Sequence, residues 1–223
     1  MKGMADLAPA LADDNEALYG RLLKIAEQLL ARHGPDKISV RELAREAGIS
    51  TMGIYTVFGG KEGVMRALYA EGFARLYQYA AQAEDRTNPA KWLYDALFAY
   101  RRFALANVGF YRLMFGGDKR FVPIDRNARF GTLVVPDQGA YPSYGSLMDA
   151  FAEGQRCGVI TSQRSADELA HLAWAVIHGL VSLEIAGYVD LACADARFSD
   201  SIGLFVRSVL TDPAAFDQSL KIG

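Results

Sequence analysis

A chain of 223 residues that is 51% hydrophobic and 22% charged can bury a sizeable core in one or two domains. Its formal net charge of −2 is unusual for a nucleic-acid binder, so any such function has to rest on a local surplus of positive charge. Two widely spaced cysteines, Cys157 and Cys193, with no CxxC pair, read as ordinary thiols of a reducing compartment rather than as a disulfide or zinc framework.

Residues 1–11 lack the basic start and apolar run of a signal peptide, and residues 1–16 read as an N-terminal arm. A first helix is expected over 18–33, closed by Gly34. Ser39 followed three positions later by Glu42 predicts a capping box opening a helix over 40–47. Val40, Leu43, Ala44 and Ala47 form its apolar stripe, with Arg41, Glu42, Arg45 and Glu46 outside, and Gly48 supplies a left-handed stop. Ser50 is placed to cap a second short helix over 51–58. Ile49, Ile54 and Phe58 would face its partners, leaving Thr51, Met52, Gly53, Tyr55 and Thr56 outward. Two short helices around a glycine turn are the arrangement that lays one helix into the major groove. Small and hydroxyl-bearing residues suit contact with base edges and phosphates. An ordinary solvated helix pair is the alternative that spacing alone leaves open. From Lys37 to Arg66 five basic residues (Lys37, Arg41, Arg45, Lys61, Arg66) stand against Glu42, Glu46 and Glu62, a local surplus of two.

The stretch ISVRELAREAGIS, the following IYTVF and GGKEGVMRAL, preceded by the 18–33 helix, together resemble the DNA-binding domain of the TetR (tetracycline-repressor-like) family over about residues 17–73. The resemblance implies an all-α fold with a helix-turn-helix domain at 17–66 and a helical ligand-binding and dimerisation domain at 67–223. It implies that Ser39 and Arg41 reach phosphate and a base edge, and that Thr51, Met52, Gly53 and Thr56 face the groove. Tyr55 and Lys61 would each bond a phosphate. Two positions depart from the family pattern. Val57 stands where a phosphate-touching His is frequent, and Gly60 stands where a polar cap before the Lys is usual.

Beyond Lys61 the helical period continues. A long helix is expected over 61–83, then Asn88-Pro89 opens 90–107, and a short apolar helix covers 110–115. Between 116 and 140 the period vanishes, which marks either an ordered lid or a mobile loop, the apolar content favouring a partly ordered cover. Helices follow over 141–157, over 167–188 behind a second capping box (Ser165, Glu168), and from Ser199 to about 210. The longest apolar stretch, 169–189, contains His171, His178 and Glu184 and falls short of a membrane span, so the chain is expected to be soluble and cytoplasmic.

Small residues on 169–189 and the apolar side of the last helix fit either a pairing surface or burial within one subunit. The resemblance implies the first, with Ala175, Gly179, Ser182, Ala186, Phe205 and Val209 at a homodimer interface. Trp174 with HGLVSLEIAG (178–187) is similar to a recurrent C-terminal type within the family. Aromatic and Met residues on the intervening helices are mostly core. Among them Tyr77, Phe98, Phe103, Phe110, Met114, Phe151, Trp174 and His178 are candidates to line a pocket for a small hydrophobic or amphipathic ligand.

No P-loop, HExxH, GxSxG or dinucleotide glycine fingerprint is present, so an enzyme is disfavoured and no cofactor or metal is called for. The expected function is a homodimeric transcriptional regulator, a ligand-released repressor on a pseudo-palindromic double-stranded DNA operator. The alternative is a DNA- or protein-binding module without an effector.

Overall fold

The computed structural model describes residues 7–116, 133–135, 139–141, 145–214 and 216. Nine α-helices and one two-stranded hairpin occur among them, divided between two compact units.

The first unit is assembled from α1 (Leu7–His33), a single 3-10 turn (Pro35–Lys37), α2 (Val40–Ala47), α3 (Thr51–Phe58), the first half of α4 (Lys61–Ala81) and α6 (Val108–Phe115). α1 starts at Leu7, inside what the sequence suggested was an arm. Leu7, Ala8, Ala10, Leu11 and Ala12 are strong helix formers, and Pro9 falls in the first turn, where no backbone donor is needed. Leu22, Ala26, Leu29 and Leu30 form the buried stripe of α1, and Ile38, Leu43, Ile54, Phe58, Val64 and Leu68 complete the core. α6 packs on α1 and the 3-10 turn. The approach is close: a Cβ on Gly109 would lie 3.0 Å from the Leu30 carbonyl oxygen. The buried Tyr69 hydroxyl donates to the Met114 carbonyl at 3.2 Å. The unit is therefore discontinuous in sequence, whereas the boundary expected after residue 66 is a single cut.

The second unit holds the rest of α4, α5 (Pro89–Ala106), β1 (Leu133–Val135), β2 (Gly139–Tyr141), α7 (Gly145–Arg156), α8 (Ala166–Ile185) and α9 (Ala194–Val209). α5 packs against α7, α8 and α9. The Asn88 side chain accepts from the Lys91 N–H at 3.1 Å, which opens α5 as its sequence suggests. The Ser165–Glu168 capping box is complete in both directions. α9 begins at Ala194 rather than at Ser199, because Ala194 and Phe198 are buried and tertiary packing extends the helix past the local signal. Ser199 lies inside it, 3.2 Å from the Tyr94 hydroxyl.

β1 and β2 pair antiparallel, Val134 opposite Ala140, so the end of the aperiodic 116–140 stretch carries regular structure after all. Its β-branched Val134-Val135 run suits a strand. The remainder of that stretch, and the question of a lid, lie outside the described residues. At 20 residues α8 is long and apolar enough, by length and composition, to cross a bilayer, contrary to the expectation that no stretch would be. Its capped start, its buried Leu169, Ala170, Ala173, Ile177 and Val181, and its ion pair to α5 are those of a helix packed in a bundle.

Candidate nucleic-acid interface

Ser39 caps α2, its hydroxyl accepting from the Glu42 N–H at 3.2 Å. The expected reciprocal half of that box does not form. The Glu42 carboxylate turns to Arg45 instead, at 2.5 Å and 3.3 Å, because a charged donor one turn on outcompetes a backbone N–H. The Arg45 guanidinium accordingly holds the Glu42 carboxyl below the usual range. Gly48 takes φ 67°, ending α2, and Ala44 is buried where α2 meets α3. Ser50 then caps α3 by accepting from the Gly53 N–H at 3.3 Å.

α3 turns Ile54 and Phe58 inward, Phe58 meeting the Tyr19 ring at 5.0 Å between centroids. Thr51, Met52, Tyr55 and Thr56 are exposed, Met52 at 70% and Tyr55 at 54%, with Gly53 and Val57 half-buried. An eight-residue helix that keeps two large apolar or aromatic side chains in solvent is built to be covered by something else. The Thr56 hydroxyl donates to the Met52 carbonyl at 3.0 Å, which leaves its methyl and lone pairs for a partner.

The turn into α4 explains the departure at Gly60. This residue is buried at φ 110°, and a Cβ on it would lie 2.9 Å from Cε1 of Tyr55. The Tyr55 ring therefore rests on the Gly60 backbone, in a space that a polar cap would fill. Gly63 follows for a steric reason: a Cβ there would come within 1.5 Å of the Phe58 carbonyl oxygen. Gly60→Ser is expected to push the Tyr55 ring off its seat and add left-handed strain. Fluorescence anisotropy with the cognate DNA should show about tenfold weaker binding, some 1–2 kcal/mol; unchanged affinity would refute this role for Gly60.

The positive charges sort into two sets. Arg45 pairs with Glu42 and Glu46, Arg32 with Glu46, and Arg66 approaches Glu62 at 3.8 Å. Lys37, Arg41 and Lys61 are exposed and have no ion-pair partner among the described residues. Lys37 adds to the local charge surplus yet falls outside the expected contact residues, because nothing in its spacing separates it from a paired lysine.

In the second unit Tyr100 and His178 meet at 3.1 Å between the hydroxyl and Nδ1, and the Trp174 ring stacks on His178 at 5.3 Å. Burial pushes the His178 pKa down, favouring the neutral imidazole. Phe98 meets Tyr94 at a tilt of 34°, Phe103 meets Tyr79 edge-on, and Phe151 is fully buried, whereas Tyr77 is exposed. Phe110 and Met114 do not join this set. They lie in the first unit, where Met114 Sδ would be 2.8 Å from a Cβ on Gly72, and they serve its core. Arg101 was not singled out from sequence, yet it is the hub of the unit's polar contacts. Its guanidinium bonds Glu184 of α8 at 2.7 Å and 2.8 Å and Asp195 of α9 at 2.6 Å, and lies 4.8 Å over the Phe198 ring.

On α8, Ala175 and Gly179 are exposed and Ser182 is half-buried, and Ala186, which caps its C-terminus, is exposed. Leu172 and Leu183 extend the same stripe into solvent. On the adjacent α9, Leu204 is 67% exposed and Phe205 half-buried, whereas Val209 is buried beside the Ile160–Leu210 bridge and belongs to the subunit's own core.

A capped two-helix reader carrying an exposed polar and aromatic face, joined to a helical second unit, defines a helix-turn-helix transcriptional regulator. Residues 22–68 match the family model described as bacterial regulatory proteins, tetR family, and residues 93–202 match that of the tetracyclin repressor-like C-terminal domain. The chain is 24% identical over 207 residues to HTH-type transcriptional regulator Rv1816 of Mycobacterium tuberculosis, covering 78% of this chain and 83% of that one. A protein of unknown function from Rhodococcus sp. RHA1 superposes with a TM-score of 0.70 at 28% identity, over 86% of this chain and 95% of the other. The TetR family transcriptional regulator PfmR from Thermus thermophilus shares the fold, with a TM-score of 0.62 at 20% identity over 84% and 97%. The chain belongs to the TetR family of DNA-binding transcriptional regulators.

Proposed function

We propose that the chain is a cytoplasmic homodimeric repressor that a small hydrophobic or amphipathic molecule releases from a pseudo-palindromic operator. The observation that carries the DNA half of this reading is the α3 face. Thr51, Met52, Tyr55 and Thr56 stand in solvent, and Arg41 and Lys61 on the neighbouring helices have no ion-pair partner among the described residues. Thr51, Met52 and Gly53 read base edges, while Ser39, Arg41, Tyr55 and Lys61 hold phosphates and fix the register. Thr56, with its hydroxyl hydrogen committed to the helix, offers its methyl to thymine.

The pairing half is supported by the exposed apolar stripe of α8 and α9, since a two-fold dimer buries the same patch of both copies. Two readers so related address half-sites about one helical turn apart, roughly 34–36 Å. The effector half is supported by the polar points Tyr100 and His178 among aromatic side chains in the second unit. An effector shifts occupancy of DNA only as far as it binds the released conformation more tightly than the DNA-bound one.

Lys61→Ala is expected to weaken binding about equally across operator variants and to lower the slope of log affinity against log salt by about one. Tyr55→Phe keeps the ring on Gly60 and removes only the hydroxyl, so it should cost about three- to tenfold at an unchanged sequence preference. Gel shifts at several salt concentrations measure both. Cognate affinity left intact in the two variants would remove the phosphate assignments.

A further inference from the structure

Two polar side-chain atoms in the second unit are buried without a hydrogen-bond partner among the described residues, Trp92 Nε1 and Ser146 Oγ. Trp92 is 1% exposed. An indole N–H can only donate, and burial without an acceptor leaves its desolvation uncompensated. The two atoms sit on helices that pack together, α5 and α7. Ser146 stands one turn before Ala150, and Ala150 is in the same buried cluster as Trp92, Ala83, Ala96 and Ala99, with Tyr79 packed against it. The seam thus combines an apolar wall of methyl groups and aromatic rings with two uncommitted polar atoms.

The charge at this seam narrows the ligand. The Arg86 guanidinium lies 5.3 Å over the Trp92 ring, but its Nε already bonds Glu84 at 2.6 Å, so the pair is neutral as a whole. Among the described residues the cation at the seam is already paired, so a buried carboxylate gains little from it, whereas a neutral oxygen would lose little on leaving water.

We propose that the α5–α7 seam is an effector site whose ligands carry a neutral carbonyl oxygen (ketone, ester or lactone) on an apolar body. The carbonyl oxygen accepts from Trp92 Nε1 with one lone pair and from the Ser146 hydroxyl with the other. The inference rests on the reading that the second unit takes an effector, and it adds the place and the chemistry.

The test uses the full chain and three matched probes, 2-nonanone, nonanoate and nonylamine, by isothermal titration calorimetry. Wild type should prefer 2-nonanone over both charged probes by about tenfold. Trp92→Phe, which keeps the ring plane and loses the donor, and Ser146→Ala should each weaken the ketone about five- to tenfold. Since Trp92 is deep in the core, the wild-type indole N–H is also followed by 15N NMR: its resonance, one of two in the chain, should shift on adding the ketone. Equal ketone binding by both variants, tighter binding of nonanoate, or an unmoved Trp92 indole signal overturns the proposal. So does an ordered water on both atoms in a crystal grown with the ketone. A compound that releases DNA equally well from wild type and Trp92→Phe would remove this site alone. Failure of every compound in a broad thermal-shift screen would remove the effector reading itself.

Discussion

Replacing Arg101 with Met is expected to destabilise the protein by about 3–5 kcal/mol, the cost of stranding a buried carboxylate. The Glu184 side chain is only 7% exposed, and both of its oxygens take their hydrogen bonds from Arg101. Without the guanidinium the carboxylate is a desolvated charge in the last turn of α8, where the helix dipole adds to its cost. Asp195 is different: its side chain is 92% exposed, so Asp195→Asn should cost under about 1 kcal/mol. The double replacement Arg101→Met with Glu184→Met removes both charges and should recover most of the loss, because an apolar pair of similar volume is often as stable as the ion pair it replaces. Urea denaturation followed by circular dichroism, at one fixed protein concentration, measures the cycle. Two single variants within about 1 kcal/mol of wild type would mean that the pair contributes nothing. The consequence reaches past stability, because this one guanidinium ties α5 to both helices that carry the exposed apolar stripe.

Leu183→Glu is expected to leave the folded subunit intact and abolish the proposed pairing. Leu183 is 49% exposed in the single chain, so the substitution should change subunit stability by no more than about 0.5 kcal/mol. In the proposed two-fold dimer, however, each copy would bring a like charge into an apolar contact. Analytical ultracentrifugation should report a monomer, and operator affinity should fall by about 10²–10⁴, the avidity lost when two readers are no longer joined. Gly179→Ala sharpens the result. Nothing lies within 4 Å of a Cβ at Gly179, and Ala stabilises a helix interior by about 1 kcal/mol relative to Gly. The single subunit supplies no reason for glycine there, whereas a partner backbone approaching at that point in the proposed homodimer would. The Ala variant should therefore melt higher as a monomer, in the Leu183→Glu background, yet dimerise more weakly on its own. A Leu183→Glu protein that remains dimeric would place the interface elsewhere.

The reader was legible in sequence almost to the residue, since its signals are local. Ser39, Gly48 and Ser50 act on backbone groups within four positions, and the bounds 40–47 and 51–58 follow from them. The same logic found the Ser165 box. Where a local signal competed with a stronger partner it misled, as with Glu42 turning to Arg45, or Ser199 overridden by the burial of Phe198. Arg101 and Glu184 are 83 positions apart and Tyr100 and His178 are 78 apart, and no periodicity links them. Their pairing follows from the packing of α5 on α8, which is a property of the assembled bundle. Gly60 shows the converse case. Its departure from the family pattern was visible in sequence, but its reason, the ring of Tyr55, was not.

That α6 returns to pack on α1 has a bearing on how such regulators can be recombined. A fragment ending at Gly72 would lose the helix that covers Leu30 and takes the hydrogen bond of Tyr69, leaving an apolar scar on the reader. Grafting this DNA specificity onto another regulator's second unit therefore calls for splices on both sides of α6 as well as one before Phe73. Chimeras joined at one point would be prone to aggregate, and lineages exchanging sensors by recombination would meet the same obstacle.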